Sequence, residues 1–186
     1  IGRALDNRLG GYCIAEVARK LFEEKIKLPY SLYVVNSVQE EVGLHGATMI
    51  AQKIRPDVAI ITDVTHATRT TLIDAKQEGD VRLGLGPALT YAPSVHRKLL
   101  QLIEEAAQVN NIPFQRVASS RSTGTDTDAF AYANGGIPSA LISIPLRYMH
   151  TTVEMAHFED ISHLINLISA SLQQIKSGHN FKYFDR

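Results

Sequence analysis

The chain has 186 residues, and 19 lysine and arginine residues balance 19 aspartate and glutamate residues, which gives a formal net charge of zero. Its 45% hydrophobic and 20% charged residues are typical of an ordinary soluble globular protein. Zero net charge argues against nucleic acid or a membrane surface as the partner, because both attract basic proteins. No stretch approaches the roughly 18 consecutive apolar residues that a membrane span requires.

The length predicts one domain, and a chain of this size buries enough surface to fold without a disulfide or a structural metal. The one cysteine, Cys13, excludes an internal disulfide and a thiolate zinc site. We therefore expect a reducing compartment and a cytoplasmic protein. The N-terminus has no signal-peptide pattern and opens on Ile1 rather than on methionine, so we expect the chain to start downstream of its natural beginning.

Hydrophobic periodicity divides the chain into alternating helices and strands, beginning with a helix that carries Leu9, Cys13 and Val17 on one face. The predicted elements are a helix over 7–25, a strand over 31–39, a helix over 45–54, a strand over 58–62, a short strand over 89–92, a helix over 94–109, a strand over 114–118, a short helix over 128–133, a strand over 139–145 and a helix over 160–175. This alternation predicts an α/β layered fold around a largely parallel sheet. We assign residues 1–176 to the domain and residues 177–186 to a C-terminal tail.

Acidic residues and one histidine follow the predicted strands, where open α/β sheets bind ligands. Glu40 and Glu41 follow the first strand, Asp63 follows the second, and His150 lies in the loop after the last. Asp6 precedes the first helix, which packs on the same sheet. We expect these groups to converge on one rim. Oxygen and imidazole ligands without thiolate suit zinc, manganese or cobalt, and a two-metal site needs a bridging carboxylate.

Structural roles are the alternative for each of these residues. Asp6 fits the N-cap of the first helix, since aspartate before an apolar periodic run commonly caps it. In this interpretation Glu40 and Glu41 are solvated charges in a loop, and Asp63 is a turn residue. Their shared placement at strand ends favours the functional interpretation for the set.

Other catalytic motifs are absent from the sequence. His150 and Glu154 are four residues apart, but no HExxH motif is present. Gly84 and Gly86 form only GLG, which is too short for a dinucleotide-binding loop. No GxSxG elbow occurs, and Cys13 lies on an apolar helix face, so neither a serine nor a cysteine nucleophile is predicted.

Six motifs in order resemble one known family. They are ALDNRLG, VNSVQEEVGLHGA, DVAIITDVTHAT, LGLGPAL, STGTDTDAF and IPLRYMHTTVE. They resemble the tetrahedral and glutamyl aminopeptidases, co-catalytic metallopeptidases of the clan that contains the two-zinc leucyl aminopeptidases. The resemblance runs from Ala4 to about Asp160. It implies a zinc-peptidase-like, three-layer α/β/α fold and an enzyme that hydrolyses N-terminal residues from peptides.

The resemblance also implies a role for each candidate. Asp6 would bridge two divalent metal ions, zinc or cobalt or manganese. Glu41 and His150 would complete the shell of one ion, and Asp63 would bind the other. Glu40 would be the general base that deprotonates the water between the ions.

The resemblance also implies roles for residues around the metal ligands. Arg147 and the turn from Gly124 to Asp126 would line the substrate side or support the ligands. Asn7 stands where the family commonly has a second aspartate, and it would play a supporting part. The resemblance further implies large homo-oligomers for the full-length protein.

One metal ligand of the family has no counterpart in this chain. The family takes its first metal-binding histidine from a short His-x-Asp segment far upstream, and a dimerisation domain is inserted between that segment and the bridging aspartate. No candidate histidine precedes Asp6. We therefore expect this chain to hold one of the two ions incompletely and to be weakly active or inactive by itself.

Two other functions are compatible with parts of the pattern. A non-catalytic metal-binding or scaffolding relative would keep the fold, but it would have no need of Glu40. A glycosidase is disfavoured, since two adjacent glutamates cannot flank a sugar bond at the roughly 5 to 9.5 Å separations that its chemistry uses.

Overall fold

Helices and strands alternate along the chain in the computed structural model, which describes residues 1–71 and 73–184. The elements are α1 (Leu5–Glu23), α2 (His45–Ile54), β1 (Ala59–His66), α3 (Ala75–Glu78), β2 (Ala88–Tyr91), α4 (Arg97–Val109), β3 (Gln115–Ala118), α5 (Asp126–Ala131), β4 (Ser139–Leu146) and α6 (Phe158–Gln174). Most match the predicted elements to within a few residues. The short helix α3 has no counterpart among the predictions.

Four strands form one sheet within the described residues, in the order β1-β4-β2-β3. β1 runs parallel to β4, and β2 runs parallel to β3, whereas β2 and β4 are antiparallel. The predicted, largely parallel sheet is therefore confirmed, with one antiparallel pairing.

Helices cover both faces of the sheet, so the three-layer α/β/α fold is confirmed. Helices α1, α4 and α6 pack together on one face, and α2 packs with α5 on the other. All eight residues of β4 are buried between these layers. The run SALISIPL is accordingly apolar throughout, as expected of a strand covered on both faces.

The predicted strand over residues 31–39 is wrong. Residues 31–37 have no regular secondary structure, although their composition favours a strand. Tyr33, Val34 and Val38 are 65%, 47% and 65% exposed. A strand needs a ladder partner for its backbone groups, and no described strand pairs with this segment.

The end of the second predicted strand is also corrected. β1 continues to His66 instead of stopping at residue 62, because β4 pairs with it over all eight positions. Asp63 therefore lies inside the strand, opposite Ser143, and not after it. This placement buries Asp63 to 7% exposure.

The C-terminal tail docks on the domain. Phe181 is buried, and its ring lies edge-on to His96 with 6.1 Å between the ring centroids. Tyr183 packs on the same imidazole at 4.9 Å. Residues 185–186 of the predicted tail lie outside the described residues, and no described helix is long and apolar enough to cross a bilayer.

Candidate metal centre

Asp6 is presented by an irregular first turn of α1. Asp6 and Asn7 have non-helical backbone angles, and the regular helix follows them. The Asn7 side chain accepts a hydrogen bond from the Gly10 amide at 2.9 Å and donates one to the Thr62 carbonyl at 3.0 Å. Asn7 thus does the capping that the structural alternative gave to Asp6, and it ties this turn to β1. The Asp6 carboxylate remains available to other groups.

Glu40 and Glu41 lie in the turn that leads into α2, and not at the end of a strand. The Glu40 carbonyl accepts hydrogen bonds from the amides of Gly43 and Leu44, which closes the turn. The turn is held against α2 where the Gly46 amide donates to the Val38 carbonyl at 3.0 Å. A Cβ at residue 46 would collide with this carbonyl, so the close approach requires glycine.

His150 is carried by the loop that follows β4. Backbone hydrogen bonds between Arg147 and Met155, at 2.9 and 3.1 Å, close this loop. His150 adopts a left-handed conformation with φ 63°, and its amide donates to Glu154 Oε1 at 3.1 Å.

These three segments bring one imidazole and two carboxylates together. His150 Nε2 lies 3.0 Å from Asp6 Oδ2 and 3.6 Å from Glu41 Oε2. One ligand atom from each of the three residues lies within 4.8 Å of the others. Donors about 2.0–2.2 Å from one zinc ion are at most about 4.4 Å apart, so both measured separations suit a shared cation. Two carboxylates also match the charge of a divalent ion.

Crowded negative charge marks the neighbourhood of this cluster. Burial is the main cause that raises the pKa of Asp63 to about 7, and the charges of Glu40 and Asp6 add to it. Burial, followed by the charge of Glu41, raises the pKa of Glu40 to about 7. The pKa of Asp6 is raised by burial and by Glu41. A bound cation would relieve this repulsion.

Asp126, which the resemblance placed around the metal ligands, lies among the acidic groups. Asp126 begins α5, and one of its oxygens accepts a hydrogen bond from the Ser37 hydroxyl. Its Oδ1 is buried and has no hydrogen-bond partner among the described residues. Burial raises the pKa of Asp126, whose charge contributes to the raised pKa of Glu40. Asp126 therefore belongs to the acidic neighbourhood.

Arg147 lies at the start of the loop that carries His150, and its hydrogen bonds go to backbone groups of Arg69 and Met155. It donates to the Arg69 carbonyl at 3.2 Å, and its Nε is buried without a partner among the described residues. Together with Tyr148 it lines a cleft formed with residues 68–71.

Glu154 belongs to this site, although the sequence does not predict it. Its four-residue spacing from His150 suggests at most a zinc-helix motif, whereas these residues form a loop and not a helix. Glu154 is 2% exposed and bonds the backbone on both sides of the cluster. A single glutamate in this loop of mixed composition gives no spacing signal from which the role could be predicted.

Comparison with known proteins places these features in a family. The profile described as M42 glutamyl aminopeptidase matches residues 1–167. The chain belongs to the M42 glutamyl aminopeptidase family. The lysyl aminopeptidase of Pyrococcus furiosus is 38% identical over 174 residues, which are 92% of this chain and 48% of that protein.

Solved structures agree with this family assignment. The TET aminopeptidase from the marine sediment archaeon Thaumarchaeota archaeon SCGC AB-539-E09 superposes with a TM-score of 0.86 at 31% identity, over 92% of this chain and 48% of that one. The TET1 peptidase of Pyrococcus horikoshii, which can assemble into a tetrahedron or a large octahedral shell, gives a TM-score of 0.72 at 28% identity, over 91% of this chain and 48% of that one. The M42 chain described here thus spans about half the length of the relatives it matches.

Proposed function

We propose that the protein is a metal-dependent aminopeptidase that hydrolyses N-terminal residues from peptides. The observation that carries this proposal is the convergence of Asp6, Glu41 and His150 from three separate segments of an M42 chain. The donor set of two carboxylates and an imidazole fits zinc, cobalt or manganese.

The ligands divide between two ions in this proposal. Asp6, Glu41 and His150 would hold one divalent ion, and Asp6 and Asp63 would hold the other. The bound ions would supply a Lewis acid that polarises the peptide carbonyl and lowers the pKa of a water molecule. The crowding of carboxylates supports cation binding, because the charge of Asp6 raises the pKa of both Glu40 and Asp63.

Glu40 is the proposed general base. It accepts a proton from the attacking water and passes it to the amine nitrogen that leaves. Burial is the main cause that raises the pKa of Glu40, and a raised pKa favours the uptake of a proton by this carboxylate. Glu41 beside it is the metal ligand, so the turn at residues 40–43 delivers both groups.

Substrate contacts and assembly complete the proposal. Arg147 lies on the cleft beside the His150 loop, on the substrate side, and Asp126 supports the acidic groups from α5. The TET relatives suggest that the full-length protein is a homo-oligomer.

Substitution of Glu40 by glutamine tests the base. We expect Glu40→Gln to retain bound metal and to lose activity on aminoacyl p-nitroanilides by roughly 10² to 10⁴-fold, because it removes the proton acceptor without removing a ligand. Glu41→Gln is the matched control one residue away, and it should lose metal as well as activity. The protein carrying this domain is assayed with cobalt or zinc added, and metal is measured by elemental analysis. Normal turnover by Glu40→Gln would remove Glu40 as the base.

The chain by itself should be weakly active, because Asp6 and Asp63 alone provide few protein ligands for the second ion. Its turnover with added cobalt or zinc is compared with that of a longer version carrying the upstream segment. Equal turnover by the two would contradict an incomplete site.

A further inference from the structure

Glu154 is a buried carboxylate that binds both segments from which Asp6 and His150 project. It is 2% exposed, and it follows His150 in the loop after β4. Its Oε2 accepts hydrogen bonds from the amides of Leu5 at 2.6 Å and Asp6 at 3.2 Å. Its Oε1 accepts one from the amide of His150 at 3.1 Å. Each oxygen therefore serves a different segment.

The main chain of Glu154 reinforces this link. Its amide donates to the Gly2 carbonyl at 2.8 Å, and its carbonyl accepts from the Gly2 amide at 2.9 Å. The N-terminal segment is therefore paired with the His150 loop immediately before Asp6 begins its irregular turn. These two bonds hold the backbone of Glu154 in a position from which its side chain reaches both sets of amides.

We propose that Glu154 is a positioning residue that sets the separation of Asp6 and His150 and thereby the affinity of the site for a divalent metal ion. This inference rests on the proposed metal site and adds to it a group that touches no metal. Asp6 and His150 are distant in sequence, and their side-chain atoms are 3.0 Å apart. The amides of both residues donate hydrogen bonds to this one carboxylate, which holds the two backbones at that spacing.

The chemistry of the contacts explains why a carboxylate is required. Both oxygens of an ionised carboxylate accept hydrogen bonds, and bonds to a charged acceptor are stronger than neutral ones. Glutamine keeps the shape but turns one oxygen into an NH₂ group, which would face a backbone N–H. One of the two segments then loses its anchor, and a buried amide is left without a partner.

Asp160 provides a matched control within the same chain. It is also fully buried, at 0% exposure, and its two oxygens accept hydrogen bonds from the amides of Gly84 and Gly86, both at 2.8 Å. Both of its oxygens therefore anchor backbone amides, as those of Glu154 do, but these amides belong to one loop that holds no residue of the metal cluster. Asp160→Asn removes a comparable buried anchor and leaves the metal site intact.

The test is a cobalt titration followed by visible absorption, with the wild-type chain, Glu154→Gln and Asp160→Asn side by side. Loss of a group that orients metal ligands typically weakens binding by roughly 10 to 100-fold, and we expect this loss for Glu154→Gln. Asp160→Asn should bind cobalt as tightly as the wild type, although we expect it to have a lower Tm in thermal unfolding because it loses a buried hydrogen bond. Equal affinity of the wild type and Glu154→Gln would overturn the role of Glu154 and leave the metal site standing. A wild-type chain that binds no cobalt would overturn the proposed site and this inference with it.

Amide hydrogen exchange of the wild type keeps the inference testable if Glu154→Gln does not fold. The amides of Leu5, Asp6 and His150 should be protected in the metal-free chain, because each donates to Glu154. Rapid exchange of these amides would contradict the clamp without reference to any variant.

Discussion

His96 is a buried imidazole that caps α4. Its Nδ1 accepts a hydrogen bond from the Leu99 amide at 3.3 Å, and the side chain packs against Phe181 and Tyr183 of the tail. Burial and the nearby charge of Lys98 lower the pKa of His96. The folded state therefore favours the neutral ring, which keeps the lone pair that the cap needs.

This arrangement predicts a loss of stability on acidification. Above pH about 6.5 the imidazole is neutral in both the folded and the unfolded chain, so it has no effect on pH dependence. As the pH falls below this value, the unfolded chain takes up a proton before the folded chain does, and the free energy of unfolding decreases. His96→Asn keeps a capping side chain without this titration, so its Tm should fall less than that of the wild type between pH 7.5 and 5.5.

His157 supplies the control for this measurement. It also caps a helix, since its Nδ1 accepts a hydrogen bond from the Glu159 amide of α6, but its side chain is 46% exposed. His157→Asn should leave the pH dependence of Tm closer to that of the wild type. An equal acid-induced loss of Tm in His96→Asn and the wild type would show that His96 does not couple folding to protons.

At the scale of elements, the segment over residues 31–38 has the composition of a strand but no ladder partner among the described residues. It exposes several apolar side chains, namely Leu32, Tyr33, Val34 and Val38. Unpaired backbone beside apolar side chains favours pairing with another chain. We therefore expect the isolated chain to self-associate through this segment.

Val34→Lys should weaken this association roughly tenfold, because burial of a valine contributes about 1.5 kcal/mol or more and a lysine resists burial. Sedimentation velocity over a range of protein concentrations measures the effect. Val109→Lys places the same charge on another exposed valine, at the end of α4, and should leave association unchanged. Similar sedimentation of Val34→Lys and the wild type would place the self-associating surface elsewhere.

The same segment shows what the sequence could and could not predict. Helix α2 was predicted to the residue and α4 to within three residues at its start, because their apolar periodicity is local. The strand over 31–39 was wrong, since a strand depends on a partner that composition does not reveal. The early end given to β1 has the same origin: β4, far along the chain, extends the pairing to His66.

The residues of the site were predictable where a sequence motif carries them, and not where their contacts depend on the fold. Motif order placed Asp6, Glu41 and His150 together, and the structure brings these three to one point. Glu154 was missed because its partners are backbone amides, which no residue pattern encodes. Asn7 was expected to support the site, but its bonds to Gly10 and Thr62 required the fold.

At the scale of the whole molecule, the candidate ligands come from three segments that are far apart in the sequence. Asp6 precedes the body of α1, Glu41 precedes α2, and His150 follows β4. In the absence of a cation, the carboxylates of Asp6, Glu41, Glu40 and Asp63 repel one another. A divalent ion would both remove this repulsion and bind three segments of the folded chain at once, whereas the unfolded chain keeps them apart.

Metal should therefore raise the free energy of unfolding of the whole chain. A ligand that binds only the folded state at 100 times its Kd stabilises by about 2.7 kcal/mol. For a chain of this size that corresponds to a rise in Tm of roughly 5 to 10 °C. We expect this rise with zinc or cobalt in thermal unfolding followed by circular dichroism, and we expect EDTA to reverse it.

Glu41→Gln should lose most of the rise, because it removes one of the three converging donors. Glu105→Gln removes an exposed charge on α4, far along the sequence from these ligands, and should keep all of it. A metal-dependent rise in Tm of the same size in Glu41→Gln would mean that the stabilising ion binds at a different site.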